Sequence, residues 1–93
     1  MKITDIRLRL PQTRENTTRL RGIASVTFDG MLVVHDIKII AGEDRLFLAM
    51  PSHKLAEGGY RDIAHPIDAA FRAELETAVL EKYREAISEA EAE

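Results

Sequence analysis

No cysteine occurs among the 93 residues, so disulfides, thiolate metal sites and thiol nucleophiles are excluded. No apolar stretch approaches the ~18–20 residues that span a bilayer. No N-terminal run joins a basic segment to an apolar one as a signal peptide does. The cytoplasm is the expected compartment, with no membrane partner. The glycines form no G-x-G-x-x-G or Walker loop, which argues against nucleotide-phosphate binding. Neither G-x-S-x-G nor S-x-x-K surrounds Ser25 or Ser52. The spacings of His35, His53 and His65 match no zinc pattern. The expectation is a chain with no catalytic residue, no metal, no cofactor and no small-molecule substrate.

What is present is a foldable composition, 45% hydrophobic, in a length that fits one domain, 1–93. A chain this size buries roughly 60–65% of its unfolded surface. That thin core, together with unpaired strand edges, favours oligomerisation. The net charge of −3 conceals an asymmetry. Six bases (Lys2, Arg7, Arg9, Arg14, Arg19, Arg21) and two acids occupy residues 1–21, whereas eight acids and three bases occupy 66–93.

Hydrophobic periodicity predicts an α+β fold: a small antiparallel sheet of four to five strands over about 2–64, then one long C-terminal helix over about 66–90. In residues 2–10, Ile6, Leu8 and Leu10 alternate with Asp5, Arg7 and Arg9, the period of a half-buried strand. Pro11 ends it, and the polar run 11–18 reads as a hairpin loop. Residues 19–28 form a second strand, with Leu20, Gly22, Ala24, Val26 and Phe28 on one face and Arg19, Arg21, Ser25 and Thr27 on the other. Asp29-Gly30 between apolar runs predicts a two-residue hairpin. Residues 31–41, apolar on both faces, predict a central strand. Residues 45–50 give a short strand stopped by Pro51, 52–59 a loop with a Gly-Gly hinge, and Tyr60 to Ala64 a short edge strand.

The helix is predicted from Pro66, with His65 as N-cap and Asp68 in the first turn. Ile67, Phe71, Leu75, Val79, Tyr83 and Ile87 form its apolar stripe. The SEAEAE end reads as a fraying acidic terminus.

His35-Asp36 lies within a strand, where neighbours point to opposite faces. It reads as a hydrogen-bonded structural histidine rather than a catalytic relay. The helix carboxylates read as a solvated face. The arginines are more informative: Arg7 and Arg9 share one strand face, Arg19 and Arg21 share a face of the next, and hairpin pairing brings all four together. Such a patch either neutralises phosphates or is a solvated, cross-strand-paired charged face.

Three segments occur in order: IASVTFDGMLVVHDIKI over 23–39, LFLAMPS over 46–52 and YRDIAHPI over 60–67. With ITDIRLR over 3–9, and Ala78-Val79-Leu80 and Tyr83 in the helix, they closely resemble the SpoVG septation and sporulation regulator family over roughly residues 2–83. The resemblance implies a bacterial cytoplasmic, homodimeric regulator that binds DNA and RNA and has no enzymatic activity. It implies binding by basic residues around the start of the helix, where Arg72 and Arg61 match family arginines. Lys54 follows His53 where a basic pair is typical. Glu74 replaces a lysine of some members, and Ala69, Ala70 and Phe71 replace common polar residues, so the local charge is less positive here.

The expected partner is therefore nucleic acid, contacted by Arg72, Arg61 and Lys54, and next by Arg7, Arg9, Arg19 and Arg21. The 61–66 junction also has a structural reading, with Arg61-Asp62 as an ion pair fixing the loop. The rival function is a protein-interaction module acting through a strand edge and the acidic helix.

Overall fold

A computed structural model describes residues 1–10 and 19–92, so the loop expected over 11–18 lies outside the described residues. Four strands, β1 (Ile3–Arg9), β2 (Leu20–Phe28), β3 (Leu32–Ala41) and β4 (Leu46–Ala49), form an antiparallel meander in that order. Helix α1 (Ala69–Ala92) follows. The α+β architecture is the one the periodicity predicts.

The Asp29-Gly30 turn forms as its chemistry requires, with φ of 53° and 64°. Asp29 N–H donates to the Lys2 carbonyl just before β1, and Gly30 N–H to Thr4 Oγ1 within it.

The core lies between the sheet and α1. Ala24, Val26 and Phe28 of β2, Ile37 and Ile39 of β3, Leu48 of β4 and Met50 meet Leu75, Val79 and Tyr83 of the helix. The four-residue spacing of Phe71, Leu75, Val79 and Tyr83 puts one side chain per turn on the same stripe. Phe71 closes one end, its ring centroid 5.6 Å from that of Phe28.

The segment after Pro51 is not a plain loop: β5 (Ser52–Lys54) pairs with β6 (Tyr60–Asp62) in a separate two-stranded sheet, turned by Gly58 and Gly59 at positive φ. Tyr60–Asp62 is thus half of this hairpin rather than an edge of the main sheet. The helix starts at Ala69, not Pro66, because Asp68 Oδ2 accepts the Phe71 N–H at 2.8 Å and serves as N-cap in place of His65. Ile67 therefore precedes the helix and is 94% exposed rather than part of its stripe.

Strand phase differs as well. Leu20 pairs with Ile40 and Gly22 with Ile39, so β2 carries an extra residue at Arg21. This bulge turns Leu20 to the face opposite Gly22. Arg21 instead reaches the helix side, where its charge acts on Tyr83.

Candidate nucleic-acid interface

Directly opposed residues on neighbouring strands point to the same side, so the register fixes what the sheet displays away from α1. Arg9 opposes Ile23, which opposes Lys38. Arg7 opposes Ser25, and Ser25 Oγ lies 2.9 Å from His35 Nδ1. Asp5 opposes Thr27, which opposes Val33. At the other end, Leu20, Ile40 and Phe47 make an apolar row. The middle rows line a shallow trough of about 530 Å³. Its floor is the half-buried β2 side chains Ile23, Ser25 and Thr27, with exposed Asp5, Arg7 and Arg9 on one side and exposed Val33 and His35 on the other, and exposed Lys38 stands beyond this lining, opposite Ile23.

A second bulge shapes this face. Ala24 pairs with Ile37 and Val26 with Val34, leaving His35 and Asp36 opposite Ser25 alone. Asp36 takes φ 62° to absorb the extra residue, and both members of the pair are exposed. His35 is hydrogen-bonded, as expected, though on the surface. Among the described residues no carboxylate bonds to it, so Ser25 and His35 lack the third, orienting group of a hydrolytic triad.

Of the predicted arginines, Arg7 and Arg9 come together here. Arg7 Nε also holds Asp5 Oδ2 at 3.1 Å, a pair too exposed for strong attraction. Arg19 is exposed just before β2. Arg21 leaves the group through its bulge. It lies close enough to Tyr83 to oppose the effect of burial, which raises that hydroxyl above its ordinary pKa of 10.0.

Lys54 and Arg61 gather on the β5–β6 hairpin but on opposite faces, since Lys54 opposes Tyr60 and His53 opposes Arg61. No Arg61–Asp62 ion pair forms among the described residues. Arg72 is separate again and half-buried. Its Nε lies 3.5 Å from Glu76 Oε1 and its Nη2 donates to the Leu48 carbonyl at 3.3 Å, fastening α1 to β4. Of the seven candidates, the structure thus brings only Arg7 and Arg9 together on one face.

Sequence reasoning missed Lys38. The alternation of Ile37, Lys38 and Ile39 is visible, but the apolar character of both faces of 31–41 masked it.

A separate apolar surface surrounds the start of α1. A cavity of about 590 Å³ is walled by Phe28, Leu32, Met50, Phe71 and Leu75, and Met1, Leu32 and Ile67 are 68%, 50% and 94% exposed around it. Asp68 and Glu74 line it too. Among the described residues no cluster of His, Asp or Glu is placed to hold a metal ion, and no helix is long and apolar enough to cross a membrane.

The SpoVG family model matches residues 1–85. A protein of Finegoldia magna named "Putative septation protein SpoVG" is 55% identical over 85 residues, covering 91% of this chain and 76% of its own length. One of the same name from Clostridioides difficile is 55% identical over 87 residues, covering 94% and 91%. Another, from Caldicellulosiruptor saccharolyticus, is 50% identical over 91 residues, covering 98% and 100%. With residues 1–85 matched and half the positions shared with septation proteins of similar length, the chain belongs to the SpoVG family.

Proposed function

We propose that this chain is a non-enzymatic bacterial regulator, acting in the cytoplasm as a homodimer that binds DNA or RNA and influences septation, sporulation or gene expression. The observation that carries this reading is the sheet face turned away from α1, where Arg7, Arg9 and Lys38 stand in adjacent rows beside one carboxylate, Asp5, while the acids of α1 lie on another element. Clustered cations on one face attract a polyanion despite a negative net charge. Phosphate neutralisation supplies most of the affinity, and few contacts supply choice of sequence.

Homodimerisation is supported by the apolar surface around Ile67, Met1 and Leu32, which a second copy would cover. Two copies double the phosphate contacts and fix the spacing of paired sites. Fluorescence anisotropy of labelled mixed-sequence DNA and RNA tests the reading. Affinity that falls steeply between low and moderate salt is expected. Absence of binding at low salt, or binding insensitive to salt, overturns it.

The second reading, a protein-interaction module, is favoured by the carboxylates beside that apolar surface, Asp68 and Glu74. Partners captured from a nuclease-treated bacterial lysate, with no nucleic-acid binding by the purified protein, would decide for it.

A further inference from the structure

We infer that the trough along β2 takes single-stranded nucleic acid, one strand lying between the β1 arginines Arg7 and Arg9 and the β3 side chains His35 and Lys38. The inference rests on the nucleic-acid reading above and goes further, to a surface and a class of ligand.

Width comes first. β1 and β3 flank β2, so the two walls stand two strand spacings apart, about 9.5 Å. That gap suits one sugar-phosphate strand. A reader of duplex inserts a helix or a two-stranded ribbon into a groove about 12 Å wide. The four-stranded sheet is already about 14 Å across its backbone, so it meets a duplex only as a flat wall.

Spacing comes second. Arg7 and Arg9 lie two residues apart on β1, which separates their rows by about 6.7 Å. The wall therefore offers charges at successive steps along an extended chain.

The floor is the third observation. Ser25 and Thr27 supply hydroxyls and Ile23 an apolar surface, while the bulge at Arg21 turns Leu20 out beside Ile40 and Phe47. Exposed bases need such contacts, together with guanidinium planes to stack on. A duplex keeps its bases stacked inward and meets a flat face through its phosphates alone, so its bases gain nothing from such a floor. Phe47 is the aromatic side chain of these rows, so stacking is limited and the site depends on charge more than on sequence.

Asp5 supplies an internal control. Its carboxylate holds Arg7 Nε and lies on the edge of the trough, where it opposes a polyanion. Removing that charge strengthens binding here, and loss of folding cannot imitate a gain.

The experiment is anisotropy at fixed moderate salt with a short labelled RNA strand, the corresponding DNA strand and each annealed to its complement. Wild type is expected to bind the free strands more tightly than the duplexes. The Arg9→Ala/Lys38→Ala double variant is expected to lose about tenfold on the free strands, the cost of two phosphate contacts. Asp5→Asn is expected to gain several-fold, and Lys54→Ala/Arg61→Ala to lose less than Arg9→Ala/Lys38→Ala. If the hairpin variant loses affinity while the sheet variants match wild type, the trough is wrong and the regulator reading stands. Tighter binding to duplex overturns the single-strand assignment. If wild type binds nothing, the regulator reading fails and takes this inference with it.

Discussion

The Asp68 carboxylate accepts the backbone N–H of Phe71 at 2.8 Å, and this contact sets where α1 begins. It leaves Ile67 outside the helix and seats Phe71 against Phe28. Replacing an N-cap carboxylate by alanine costs about 1 kcal/mol. Asp68→Ala should therefore lower the Tm by about 4–8 °C in a domain this small. Asp68→Ser should keep most of the stability and His65→Ala nearly all of it. Thermal unfolding followed by circular dichroism checks the three together.

Arg72 joins the helix to β4 through the Leu48 carbonyl and to Glu76 along the helix. Its removal leaves that carbonyl without the guanidinium, so Arg72→Ala should cost about 1 kcal/mol of stability. Its effect on nucleic-acid affinity should be smaller than that of Arg9→Ala/Lys38→Ala. Urea unfolding gives the first quantity and anisotropy the second.

Tyr83 is buried in the core, and burial raises its hydroxyl pKa while the Arg21 charge lowers it in part. The folded state holds this proton more tightly than the unfolded chain, whose tyrosine titrates near 10. The stability involved is fully present below pH 10 and is lost as pH rises through the higher folded value. Unfolding free energy should thus show an alkaline decline that Tyr83→Phe reduces. An identical decline in the variant would remove Tyr83 as its source.

Ile67 is 94% exposed beside the apolar cavity at the helix start. If a second copy covers this surface, Ile67→Asp places a charge in the seam and should shift the protein to monomer without loss of thermal stability in the protomer. Sedimentation equilibrium reads this directly. A dimer unchanged by the substitution places the seam elsewhere.

The strand–strand–strand–strand–helix order was legible in the sequence because alternation in 3–9 and 20–28, the Asp29-Gly30 pair and the four-residue stripe from Phe71 to Tyr83 are local signals. The display of the sheet was less legible. A period-two reading assumes an unbroken pleat, and one extra residue reverses the phase beyond it. The bulge at Arg21 did this, sending Leu20 to the open face and Arg21 towards Tyr83. Neither Arg21 nor His35-Asp36 has a composition that marks a bulge. Lys38 became visible as a site residue only through its register with Ile23 and Arg9. The N-cap was misplaced because Pro66 suits a first helical position, whereas the hydrogen bond to Phe71 requires the carboxylate two residues later.

Titrating isotope-labelled protein with an unlabelled RNA strand, and following each backbone amide by NMR, shows whether a polyanion lies on the sheet face away from α1. The largest shifts should fall on Arg7, Arg9, Ile23, Ser25, His35 and Lys38. Shifts confined to the β5–β6 hairpin or to the start of α1, with the open face unmoved, would contradict it.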